Sequence, residues 1–178
     1  MMDTVKEKIT SNKLRSSVIG GIVVLGIAFT SITIHNDNVK QYERDLRTTA
    51  GLISNSSVDA EYMVEGYSER WSQSIDYGID FDTQLDVKHT EYEESGDIEI
   101  MEKAQTKIKK QMQLLNDPPK KFEEEHEHLL NMYGHFKTYS ELAIFPDGSL
   151  LTYNEKTQDL KEQIDAEADK LETMIEVK

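Results

Sequence analysis

Residues 16–34 (SSVIGGIVVLGIAFTSITI) form the longest stretch of the chain without a charged side chain. A helix of these 19 residues reaches roughly 28 Å, close to the thickness of a bilayer's hydrocarbon core. Its Ser and Thr hydroxyls can bond back to their own helix, which makes them tolerable in lipid. The pattern therefore predicts a transmembrane helix. A cleaved signal peptide has a shorter apolar region, about 7 to 15 residues, ending at a small-x-small site. The best such site here, Ala28-Phe29-Thr30, lies inside the run. The expectation is an uncleaved signal anchor.

Beyond residue 35 the apolar positions recur at intervals of three and four. The series Val39, Tyr42, Leu46, Thr49, Ile53, Ser56, Ala60, Met63, Tyr67 has the narrow seam of coiled-coil-like packing. Its phase then drifts through Trp71, Ile75, Gly78 and Leu85. The spacing predicts one long helix over 36–94, or two in line with a kink at 54–58, where four polar residues weaken the seam. Ser95-Gly96-Asp97 supplies a stop and a restart, with Asp97 expected as N-cap. A second helix follows to about residue 116. A third runs over 119–144 behind Pro118-Pro119, and a last one over 150–176 behind the Pro146-Asp147-Gly148 turn. No strand pair or βαβ unit is visible. The fold class expected is all-α: an N-terminal transmembrane helix, then an elongated up-and-down bundle of three to four long helices. The domains are 1–15, cytoplasmic; 16–34, the anchor; and 35–178, an acidic extracytoplasmic bundle.

Charge sharpens that division. The 178-residue chain carries a net charge of -14. Residues 1–15 contribute +2, residues 16–34 nothing, and residues 35–178, with 16 basic and 32 acidic side chains, -16. Four Lys/Arg before the apolar run and three in residues 35–50 favour, by a slight margin, a cytoplasmic N-terminus. An acidic domain is repelled by anionic lipid and projects away from it. The same charge argues against nucleic acid as partner. With no cysteine, disulfides, thiolate metal sites and Cys nucleophiles are excluded.

Candidate chemistry is sparse. On the third helix Glu124, His128 and His135 share a face and are weak candidates for a metal, but no second ligand-rich segment accompanies them and no metal or other cofactor is expected. Asp76, Asp80 and Asp82 lack the fixed offsets of a calcium loop. Tyr67, Trp71 and Tyr77 can mark a partner-contact surface, although Met63, Tyr67, Trp71 and Ile75 also have core spacing. No nucleophile elbow, phosphate loop or dinucleotide fingerprint is present, so the chain reads as a non-enzyme.

Residues 114–160 open a helix with a Pro pair. A face L-x2-M-Y-x5-Y-x2-L-A follows, and then a Gly-Ser turn before a helix with an early Tyr. This pattern resembles the helical external domains of uncharacterised lipoproteins and membrane-anchored proteins of Gram-positive bacteria. The resemblance implies location and fold, and carries no catalytic residue across. Taken together, the expectation is a single-pass envelope protein held in the lipid bilayer by residues 16–34. Its bundle binds another envelope protein, or itself. A sensor-like bundle taking a small molecule or cation, and a structural spacer, are the competing readings. The anchor predicts that the full chain sediments with membranes and resists alkaline carbonate, and that protease added to intact cells removes the C-terminal bundle. A soluble product beginning after residue 30 would instead establish cleavage.

Overall fold

The structure, a computed structural model, describes residues 37–176. The segments expected at 1–15 and 16–34 lie outside the described residues. Among the described residues the protein is all-α, and no helix is long and apolar enough to cross a membrane. Five α-helices follow one another: α1 (Asp37–Tyr77), α2 (Phe81–Ser95), α3 (Asp97–Leu114), α4 (Glu123–Ile144) and α5 (Leu150–Glu176). A single 3-10 turn, Lys120–Phe122, leads into α4.

The long helix expected over 36–94 is two helices, and the break is at residues 78–80. Helix α1 passes uninterrupted through residues 54–58. There Ser57 donates from Oγ to the Ile53 carbonyl at 2.8 Å, so its hydroxyl is satisfied inside the helix and needs no break. The chain stops at Gly78, whose φ of 64° is left-handed, with Ile79 N donating to Ser74 O at 2.9 Å. Two residues later Asp80 caps α2, accepting from Thr83 N at 3.1 Å. A left-handed glycine followed by an acidic N-cap is a complete stop-and-restart signal.

Gly96, with φ 85°, ends α2, but the chain does not reverse there. Arg70 reaches Gln84, Tyr92 reaches Tyr62 and Met63, and Tyr42 reaches Leu115. These pairs march antiparallel along α1 without changing direction, so α2 and α3 form one return stroke. Asp97 is the first residue of α3 and not its cap; Gly96 holds the cap position without a side-chain hydrogen bond. In that first turn Asp97 complements the helix dipole.

Helix α4 then runs parallel to α1, with Tyr42 beside His126 and Tyr67 beside Ile144. Helix α5 returns antiparallel, shown by Ser68 to Asn154 and Arg47 to Ile175. Ser149 starts α5 with a reciprocal cap: Thr152 N donates to Ser149 Oγ at 3.3 Å and Ser149 N to Thr152 Oγ1 at 2.9 Å. Helices α3 and α5 each pack on both α1 and α4, yet not substantially on each other. The α1–α4 pair is therefore central, with the return strokes on opposite sides.

The seam expected on α1 is the seam that is buried, from Tyr42 through Leu46, Thr49, Ile53, Ala60, Met63 and Tyr67 to Trp71. Tyrosine hydroxyls close it. Tyr42 meets the Leu115 carbonyl at 3.2 Å, Tyr67 that of Ile144 at 3.4 Å, and Tyr153 that of Leu142 at 3.2 Å. These carbonyls sit at helix C-termini, where the last carbonyls lack intrahelical partners. On α4 Met132 is buried and its near neighbour Leu130 is exposed.

Gly66 is where α2 comes closest to α1. A Cβ there would overlap the Tyr92 hydroxyl and approach Lys88 Cε to 2.8 Å, while Tyr92 holds the Met63 carbonyl at 3.2 Å. Gly134, also inside a helix, has open space around it. Gly66→Ala should cost about 1–3 kcal/mol through overpacking, against the roughly 1 kcal/mol that alanine contributes to helix propensity. Gly134→Ala should stabilise by about 0.5–1 kcal/mol. Urea denaturation of both variants checks the pair, and equal shifts would show that α2 does not press on α1 at this point.

Candidate functional site

The end of the bundle remote from Asp37 is formed by two connections, α1–α2 and α4–α5. Exposed large apolar side chains concentrate there among the described residues. Of the eleven large apolar side chains left exposed among the described residues, six lie here: Ile75, Tyr77, Ile79, Phe81, Phe145 and Leu151. The two connections are held side by side by rings. Trp71 stacks on Phe81 with centroids 6.3 Å apart and packs on Tyr153 at 5.8 Å. His89, on α2, stacks on Phe145 at 5.7 Å. Its Nδ1 lies 3.0 Å from the Tyr67 hydroxyl, which in turn reaches the Ile144 carbonyl. His89 thus fastens the α4–α5 connection to α1 and α2.

The local sequence explains why these residues stay outside. The α1 seam ends at Trp71, so Ile75 and Tyr77 fall off the buried face as the helix runs out. Ile79 and Phe145 then lie in or beside connections that have no facing helix.

Of the three residues expected to contact a partner, Tyr67 is fully buried and Trp71 is 5% exposed, while Tyr77 is 76% exposed. The first two belong to the core because the seam continues through them, and burial pushes the Tyr67 hydroxyl pKa well up, helped by the Glu93 charge. Tyr77 alone presents its ring to solvent. Ile75, Ile79, Phe81, Phe145 and Leu151 join it, and sequence reasoning missed them as a site. The available signal was the phase drift after Trp71, which places apolar residues where no seam can receive them.

The metal candidates do not converge. Glu124 is exposed, and His128 is engaged across the bundle, its Nδ1 2.6 Å from Glu167 Oε2 on α5. Among the described residues no three His, Asp or Glu side chains come together as a metal-binding group. Burial pushes the Glu167 carboxyl up, but hydrogen bonds from Lys170 and His128, with their charges, outweigh it and leave the carboxyl below the usual range.

A third histidine contact lies near the Asp37 end of the bundle. His126 Nδ1 is 2.8 Å from the Tyr42 hydroxyl, and Tyr42 stacks on Phe122 at 5.7 Å. Burial, then the charges of Glu125 and Asp117, pushes the Tyr42 hydroxyl up to about 12. Burial lowers the His126 pKa, because the charged ring loses solvation.

Compared with known proteins, the chain matches no family model, no curated protein and no solved structure. The likeness over residues 114–160 rests on its motifs alone.

His126 and Glu167 act in different pH windows. His126 has a folded pKa below its unfolded value of about 6.5, so the unfolded chain binds more protons and stability falls as pH drops from about 6.5 toward the folded pKa. Glu167, also lowered, contributes stability above the ordinary carboxylate range and loses it at lower pH. His126→Gln keeps a partner for Tyr42 and removes the titration. Its Tm should fall less than that of the parent protein between pH 7.5 and 5.5, as followed by circular dichroism. Parallel falls would exclude His126 as a source of acid sensitivity.

Proposed function

We propose that the chain is a single-pass membrane-anchored protein that holds an acidic helical bundle outside the cytoplasm and binds another envelope protein through the apolar tip. The supporting observation is the grouping of Ile75, Tyr77, Ile79, Phe81, Phe145 and Leu151 at the end of the bundle opposite Asp37. The apolar segment 16–34 ends shortly before α1 in the chain. Apolar groups of this kind on soluble surfaces mark interaction sites, and scattered single ones do not. Aromatic side chains such as Tyr77, Phe81 and Phe145 supply large contact area at low entropic cost.

This observation also weighs against a bare spacer, which has no use for exposed rings at its free end. The sensor reading draws no comparable support. Two concavities among the described residues are grooves open to solvent, one lined by Gly66, Glu69, Arg70, Gln73 and Lys88, the other on the outer face of α2. A photo-crosslinking side chain placed at Tyr77 or Phe145 of the full chain in its native membrane should give one discrete adduct. The same group at the exposed side positions Glu102 or Glu172 should give none, and Ile79→Ser should erase the tip adduct. Equal labelling from tip and side would remove the tip as the binding surface.

A further inference from the structure

We infer that the partner presents an apolar groove rimmed by lysine or arginine, and that the tip reads both features. The inference rests on the tip being the binding surface. Residues 71–87 and 138–155, which form the tip and the helix turns beneath it, contain seven acidic side chains: Asp76, Asp80, Asp82, Asp86, Glu141, Asp147 and Glu155. They contain no Lys, Arg or His. Both signs of charge occur elsewhere in the bundle, so the absence of cations is a local property of this end.

The nearest cations do not neutralise it. Arg70 and Lys88, which border the first segment, both pair with Glu91, and Lys137 and Lys156, which border the second, form no ion pair with any of the seven acids among the described residues. None of the seven acids has a Lys or Arg ion pair among the described residues. His89 stacks on Phe145, is bonded to Tyr67 through Nδ1 and has its Nε2 3.7 Å from Glu93, so it pairs with none of the seven acids. An incoming partner therefore meets exposed rings and aliphatic side chains set among unpaired carboxylates.

Charge complementarity selects the occupant. A second copy of the chain would bring an identical anionic tip against this one, and like charges brought together across a contact cost several kcal/mol. An anionic lipid surface is repelled for the same reason. A basic rim is attracted, and steering by opposite charge raises the association rate while the apolar centre slows release. Asp80 serves α2 as its cap, whereas Asp76, Asp82 and Asp147 are exposed and outside any ion pair. They are the residues that read the rim.

The only tryptophan of the chain, Trp71, packs on Phe81 beneath the tip, so its fluorescence reports occupancy. The probes are tryptophan-free amphipathic helical peptides with one leucine face and a second face of lysine, glutamine or glutamate, together with oligolysine. Each is titrated onto the full chain in phosphatidylcholine nanodiscs. The Leu/Lys peptide should bind at least about tenfold tighter than Leu/Gln, with the difference lost at about 0.5 M salt. Asp76→Asn, Asp82→Asn and Asp147→Asn combined should erase that advantage and leave Leu/Gln binding unchanged.

Equal binding of Leu/Lys and Leu/Gln would overturn the basic rim while leaving the tip as a docking surface. Oligolysine binding as tightly as Leu/Lys would overturn it in favour of plain charge attraction. Self-association abolished by Phe145→Ser, without peptide binding, would assign the tip to a second copy. If no peptide binds and the Tyr77 crosslinker also captures nothing, the docking role fails together with the inference.

Discussion

Open backbone carbonyls at helix C-termini have to find donors, and in this bundle the donors come from neighbouring helices. Tyr42 on α1 serves the end of α3, Tyr67 on α1 and Tyr153 on α5 serve the end of α4, and Arg47 on α1 donates to the Ile175 carbonyl near the end of α5 at 3.2 Å. Each bond contributes only about 1 kcal/mol net, but an unserved buried carbonyl costs more. Register follows from this requirement. A slide of one turn between α1 and α4 would withdraw the Tyr67 hydroxyl from Ile144, so the long helices are pinned at their ends and not only along their seams. Tyrosine suits the task because its ring fills core volume while its hydroxyl spans to the next helix.

The constraint also accounts for how much polarity the interior accepts. Thr49, Ser57, Ser74 and Thr157 are buried, and each hydroxyl returns to a carbonyl of its own helix. Gln105 reaches Ser140 across α3 and α4 at 2.9 Å. Small polar residues of this kind let the helices approach closely without leaving a donor unsatisfied. They also explain how a chain with only 37% hydrophobic residues builds a bundle of this length.

Much of the architecture was legible because the α1 series keeps the helical period, and from Tyr42 to Tyr67 burial follows it. The break at Gly78–Asp80 was not, since the periodicity had already begun to drift there and a glycine inside a drifting seam looks like part of the drift. The serines at 54–58 misled in the opposite direction: they read as a kink, yet the helix is continuous there and the Ser57 hydroxyl returns to the Ile53 carbonyl. For the candidate site, ring chemistry identified Tyr67, Trp71 and Tyr77 together, but burial separates them. Phe145 and Leu151 come from a connection nearly seventy residues further along the chain, and only the closing of α4 and α5 beside α1 brings them to the same end of the bundle as Ile79. That proximity is tertiary and has no counterpart in local spacing.

Helix α1 begins at one end of the bundle and finishes at the other, and every other helix touches it. A pull applied between the apolar tip and residue 37 therefore runs along a single axis. Where the pull enters through Ile75 or Tyr77 it passes along α1 itself, and where it enters through the α4–α5 connection it loads the contacts of α1 with α4 and α5 in shear. Arrangements loaded this way hold until many contacts give together. The same geometry that exposes a few rings at the far end also makes α1 a tension-bearing rod between the two ends of the molecule.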